Sequence, residues 1–324
     1  MAGDCRTLAY GWVMSECSPS ISLSCVVDAH PRFHIELILW LICVRRHMPA
    51  NFRPSVYQIG EMPEDLSRWI GDQGVRIEKR NAMVPGSPHS NKIAPFFDDH
   101  QADFVVVTDT DLFMLADFGS FLTSQRFRAA PNNHCNPPAA IFKSVLSAAG
   151  FDGPFRAGVS LFPGHGGIRE THINNISAGI VTAPRERAGI LAAAWKKWAT
   201  WLVENRGLLD LWAVHVDQVA FALAMEELGE DVDHLPPQTN TILHLLPEVS
   251  TLYAVHLTTG HIPLFPHLFR PGGTIITDGL HDGVTPAIDR LNVAIAEAAD
   301  VIRAVPCMRD HADKFLNPSW DRAA

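Results

Sequence analysis

Phe104-Val105-Val106-Val107-Thr108-Asp109-Thr110-Asp111-Leu112-Phe113 is the stretch that decides the fold of this 324-residue chain. An apolar run leads straight into two carboxylates spaced two residues apart. Side chains of an extended chain alternate faces, so Asp109 and Asp111 point the same way. Two carboxylates about 4 Å apart repel by roughly 4 kcal/mol at an effective dielectric of 20, a conflict that a divalent cation or solvent between them removes. Hard carboxylate oxygens suit Mg2+ or Mn2+, which keep waters and bridge to substrate phosphates. The carboxyl end of a strand is also where open α/β sheets bind ligands. The bland alternative is a pair of turn residues, since Asp favours turns and strand ends.

Outward from this stretch, residues 21–111 alternate short apolar runs with helical patterns, the signature of βαβ units and an α/β fold with a mostly parallel sheet. Strands are expected over Ile21 to Asp28, Ser55 to Ile59, Val75 to Glu78 and Phe104 to Thr108. Between them, Ile35, Ile38, Leu39 and Ile42 mark a helix opened by Pro31 and closed by Arg45, Arg46 and His47. Pro63 opens a second helix through Trp69 and Ile70, and a third is expected from Ser90 to Phe97. Residues 131–170, rich in Pro, Asn and Gly, read as long loops over the sheet. Beyond them come a strand at Ile176 to Val181 and a long helix from Pro184 to near Gly207, whose Leu191, Trp195, Trp198 and Leu202 form a core face. A shorter helix runs from about Asp217 to Leu228, with Gly229 after it. A last one runs from Pro286 to about Ala304, capped by Thr285. The expected organisation is a ragged segment at 1–20, one elaborated domain at 21–275, and a C-terminal helix and tail at 276–324 packed on it.

Composition supplies 47% hydrophobic and 19% charged residues, ample for a full core. The 35 acidic residues against 26 basic ones give a net charge of -9, which argues against nucleic acid as a partner. An acidic protein that handles an anionic ligand needs a metal or local cations. The six cysteines form no CxxC pair, which fits a reduced, cytoplasmic compartment. Cys25 and Cys43 sit in apolar runs and read as core residues. The first twenty residues do not fit a secretory signal. Phe33 to Val44, which contains Glu36, falls well short of the roughly 20 residues of a membrane span, so a soluble protein without a transmembrane segment is expected.

An apolar strand ending in Asp109-x-Asp111 after about three βα units resembles the metal-binding DxD of GT-A fold glycosyltransferases, and the order of later features is most similar to the family 8 type, the glycogenin-like and galactosyltransferase-like enzymes. Ile176-Ser177-Ala178-Gly179 resembles that family's Asn-small-Gly strand near the donor sugar, with Ser177 in place of Asn. Val216-Asp217-Gln218 resembles the Asp-Gln pair that contacts the donor sugar. Val255-His256-Leu257-Thr258-Thr259-Gly260 resembles a late His-x-x-Gly segment whose histidine completes the metal site, though the Lys-Pro-Trp expected after it is absent. Lys92 falls where such enzymes keep a cation before the DxD strand, and Asp28 with His30 ends the first strand, where the nucleotide base docks. The resemblance covers roughly residues 21–270. It implies a Rossmann-like GT-A domain and sugar transfer from a UDP-sugar, or less readily a GDP-sugar, to an acceptor the residues leave open. It also implies Mn2+ or Mg2+ held by Asp109, Asp111 and His256, with front-face transfer and retention.

Each residue has an ordinary role to set beside this one. His256 could be a satisfied core histidine, Asp217 a helix cap and Lys92 a solvated charge. The Gly164 to Gly167 run lacks a phosphate-loop pattern and suits a flexible acceptor-side loop, and His261, His267 and Arg270 read as structural loop residues. Two other functions compete. One is a phosphohydrolase of the haloacid dehalogenase type, whose DxD stands near the start of its domain rather than after about eighty residues. The other is a degenerate protein that binds a sugar nucleotide or glycan without catalysis.

Overall fold

The computed structural model describes residues 18–98, 101–257 and 274–309. Cys5, Cys17, Gly260, His261, His267 and Arg270 lie outside these residues.

The first half follows the βα series. Strand β1 (Ile21–Asp28) leads through helix α1 (Pro31–His47) to β2 (Phe52–Ile59), then through α2 (Glu64–Asp72) to β3 (Arg76–Arg80). Strand β4 (Phe104–Thr108) follows, then β5 (Leu112–Met114), the short helix α3 (Gly119–Leu122) and β6 (Arg128–Pro131). Helix α4 (Ala139–Ala148), a hairpin of β7 (Ala157–Val159) and β8 (Glu170–His172), and β9 (Ile176–Pro184) come next. The remainder contains α5 (Arg185–Glu204), α6 (Val216–Leu228), β10 (Asp233–His234), β11 (Thr241–Ile242), β12 (Ala254–His256) and α7 (Thr285–Ala304).

Seven strands form one mixed sheet in the order β10-β6-β9-β4-β1-β2-β3. All pairings are parallel except those of β9, which runs antiparallel to both β4 and β6. Strand β4 lies at the centre and is buried on both faces, as its unbroken apolar run requires. Phe104 and Val106 enter the core shared with α1 and α7, whereas Val105 and Val107 enter the core shared with α5 and α6. Cys25 and Cys43 are fully buried in the first core, and Trp195 and Trp198 in the second. At the far edge, β3 carries Arg76, Glu78, Lys79 and Arg80, charges that blunt an exposed strand edge.

A second sheet, β11-β12-β5, begins where β4 stops. Leu112 pairs with His256 and Phe113 with Val255 in antiparallel register. Asp109, Thr110 and Asp111 are therefore the link by which the chain passes from one sheet to the other.

Three local expectations are corrected. Residues 88–97 form a 3₁₀ segment rather than an α-helix. Pro88 opens the segment and Pro95, inside it, has no N–H to donate, so no regular α-helical ladder runs through it. Residues 131–170 are not all loop, because Phe142, Val145 and Leu146 give α4 a buried stripe that outweighs the Pro-rich approach. Thr285 does not cap α7. It is the helix's first residue, and its hydroxyl donates back to the His281 carbonyl at 3.3 Å.

Candidate metal and ligand site

Just past β4 the chain turns at Thr110 and Asp111, with the Leu112 N–H donating to the Asp109 carbonyl at 3.3 Å, and this turn sorts the site. Thr108 faces α1 and accepts a hydrogen bond from Trp40 Nε1 at 2.9 Å. Thr110, two residues on, faces the same helix and donates to Glu36 Oε2 at 3.0 Å. Asp109 and Asp111 point away from α1 into the space between the sheets. The Asp109 N–H donates to the Gly179 carbonyl at 2.9 Å, which continues the β4–β9 ladder by one residue and fixes where the carboxylate leaves the sheet.

The second sheet delivers the histidine. With Leu112 opposite His256, and the Leu257 N–H donating to the Asp111 carbonyl at 2.9 Å, His256 Nε2 stands 3.0 Å from Asp111 Oδ1 and 3.9 Å from Asp109 Oδ2. One ligand atom from each of the three residues lies within 4.8 Å of the others. Burial acts against charge on both members of the closest pair. Their mutual attraction wins, so the Asp111 carboxyl lies below its ordinary range and the His256 imidazole above its own. Two hard oxygens and one imidazole nitrogen, held together on backbone hydrogen bonds, form a donor set that fits Mn2+ or Mg2+.

Lys92 lies behind the carboxylates and is not a solvated surface charge. Its ammonium is 2.7 Å from Asp109 Oδ1 and 3.4 Å from Asp217 Oδ2, and it donates to the Ala178 carbonyl at 3.0 Å. Burial opposes its charge, but the two aspartates more than compensate and hold it protonated. Asp217 is 3% exposed and does not cap α6; the helix has no side-chain cap, and the carboxylate is turned to Lys92 instead. Trp195 Nε1 donates to the Asp217 carbonyl at 2.7 Å and so ties this position to the tryptophan stripe of α5. The neighbouring Gln218 has a buried Oε1 with no hydrogen-bond partner.

Ser177 and Gly179 line the same space from β9. The Ser177 hydroxyl accepts from Asn240 Nδ2 at 2.7 Å, and Asn240 Oδ1 is buried without a partner. A Cβ on Gly179 would lie 2.8 Å from Asn240 Oδ1 and 3.2 Å from His256 Nδ1, so glycine is required there by close packing. Sequence inspection missed Asn240, because it stands outside any motif and meets Ser177 only through the fold. Glu36 was likewise visible only as a charge in an apolar run.

Asp28 and His30 lie at the carboxyl end of β1. Asp28 is half-buried, and burial raises its carboxyl above the ordinary value against the opposing charge of His89. His30 is exposed and serves α1 as its N-cap, with Nδ1 accepting from the Arg32 N–H at 3.2 Å. Beside them a cleft of about 390 Å³ is bounded by Ala29, Pro31, Glu61, Met62 and Met308. Among the described residues, no helix is long and apolar enough to cross a membrane.

No protein-family model matches the sequence, and no curated protein matches it. Solved structures do. A galactosyltransferase, LgtC, in complex with donor and acceptor sugar analogues aligns with a TM-score of 0.52 at 11% identity over 85% of this chain and 95% of that one. An active-site mutant of LgtC aligns with the same TM-score, identity and coverage. The chain therefore has the GT-A fold of these structures, as the Asp109-x-Asp111 resemblance implied.

Proposed function

We propose that this chain is a metal-dependent glycosyltransferase that moves a sugar from a nucleoside-diphosphate donor, a UDP-sugar before a GDP-sugar, to an acceptor. The observation that carries this is the Asp109, Asp111 and His256 cluster at the carboxyl edge of the central strand, on a fold shared with a galactosyltransferase.

Asp111 and His256 would hold Mn2+ or Mg2+, with Asp109 on the same ion or on the ribose. The bound cation supplies Lewis-acid stabilisation of charge on the departing diphosphate. The chain's own residues bind and orient. Lys92 holds the Asp109 and Asp217 carboxylates in place through its two ion pairs. Asp217 and Gln218 from α6, with Ser177 and Gly179 from β9, bind the donor sugar. The buried Gln218 Oε1 can only accept a hydrogen bond and suits a hydroxyl-rich ligand. The cleft beside Asp28 and His30 takes the nucleoside. Front-face transfer with retention is what the family resemblance implies for the step.

The test is a panel of UDP- and GDP-sugars incubated with the protein and Mn2+, with free nucleotide measured over time. Slow release from at least one donor is expected, together with its loss in Asp111→Asn. A panel in which no donor is cleaved and none raises the thermal midpoint would overturn the proposal.

A further inference from the structure

In a chain of net charge -9, a protein cation beside the metal would strengthen the hold on a diphosphate, and Lys92 does not supply it. Its ammonium is buried and committed to Asp109, Asp217 and the Ala178 carbonyl. The first turn of α1 offers another. Arg32 Nε donates to Glu36 Oε1 at 3.0 Å, and the other oxygen of Glu36 accepts from Thr110, the residue between the two aspartates. Glu36 is 1% exposed, so one buried carboxylate fastens both the guanidinium and the Asp109–Asp111 link. The Arg32 side chain is 34% exposed, and its two Nη groups make no hydrogen bond among the described residues. Its Cζ also lies over the Phe33 ring, 5.5 Å from the centroid. Its charge also reaches Asp111 and helps to keep that carboxyl ionised.

A guanidinium fixed through Nε leaves the paired Nη edge free, the geometry that recognises phosphate oxygens. Resting on the glycosyltransferase proposal above, we infer that Arg32 binds the diphosphate of the donor through its Nη groups, and that Glu36 is a positioning residue that aims Arg32 while holding Thr110. Arg32 thereby provides a local cation from the start of α1.

Binding to the full chain tests this, with Mn2+ alone as one probe and UDP, GDP and CDP in saturating Mn2+ as the others. Arg32→Gln should bind Mn2+ within about twofold of wild type but the preferred nucleoside diphosphate about tenfold or more weakly, the scale of a lost charged hydrogen bond. Binding of the corresponding nucleoside, which has no phosphate, should not change. Arg32→Gln takes the guanidinium away from the buried Glu36 carboxylate, so Arg32→Gln/Glu36→Gln is measured beside it. This double variant keeps an acceptor for Thr110, and the same tenfold loss is expected. Unchanged diphosphate affinity in both variants would overturn the role of Arg32 and leave the glycosyltransferase proposal standing. Wild-type protein that binds Mn2+ but none of the three diphosphates would overturn both.

Discussion

Lys92 Nζ lies 2.7 Å from Asp109 Oδ1, inside the protein, and the same ammonium also faces Asp217. The DxD therefore does not stand alone against an incoming ligand. One of its carboxylates is already neutralised from behind by a lysine on a different element, while the other faces His256. Each carboxylate thus has its own positively charged or imidazole partner, which offsets their mutual repulsion. This division also leaves Asp111 and His256 as the pair that metal binding would rearrange.

Removing that counterion should be costly. In Lys92→Met, the buried Asp217 and the part-exposed Asp109 would face each other without compensation, and breaking a buried pair from one side costs about 3–5 kcal/mol. Urea denaturation of metal-free protein should show a loss of that order. Adding Asp217→Asn to Lys92→Met should recover part of it, because one uncompensated charge is removed. Equal stability of wild type and Lys92→Met would mean that the ion pairs are absent in solution.

Gly179→Ala probes the packing behind the histidine. The new methyl would meet Asn240 Oδ1 at 2.8 Å and the His256 ring at 3.1 Å, and both must shift. Overpacking of this kind costs about 1–3 kcal/mol. Because His256 is one of the displaced groups, Mn2+ affinity should fall while the fold is retained by circular dichroism. An alanine variant with wild-type Mn2+ affinity would show that the ring does not depend on this contact.

The central strand, its two aspartates and the tryptophan face were legible because each rests on a local pattern of period 2 or 3.6. Gly229, expected just after α6, adopts φ +67 as its C-cap, again a local effect. Other features were not legible, because they depend on contacts distant in sequence: Glu36 meets Thr110 across 74 residues and Asn240 meets Ser177 across 63. His256, 145 residues from Asp111, was reached only through the family resemblance and not through any local pattern. The turn from the large sheet into the small one, which creates the site, follows from the pairing of β5 with β12. Nothing within residues 104–113 announces it. The 3₁₀ winding of residues 88–97 is a local effect that the apolar spacing of Ile93, Phe96 and Phe97 does not reveal.

A metal-loaded site should be visible in stability. A cation that binds only the folded chain adds about 2.7 kcal/mol at a hundredfold excess over its Kd. Thermal midpoints should rise with Mn2+ and fall back with EDTA, and Asp111→Ala and His256→Gln should abolish the response. A full response in Asp111→Ala would remove the carboxylate from the metal site.

Without metal, the Asp111–His256 pair should make stability depend on pH in a definite direction. His256 titrates above its unfolded value of about 6.5, so its contribution is complete below that pH and is lost as pH rises through the folded value. Asp111 titrates below its unfolded value of about 3.9, so its contribution is complete above that pH and is lost on acidification. Both are fully present only between about pH 4 and 6.5. Burial pushes His47, His215 and His234 the other way, so the total profile mixes signs and the informative quantity is a difference. In EDTA, the stability of wild type minus that of His256→Gln should be greatest near pH 5.5 and should shrink by pH 8.5. A difference that is flat across this range, measured by urea midpoints at matched ionic strength, would show that the imidazole does not gain charge from Asp111.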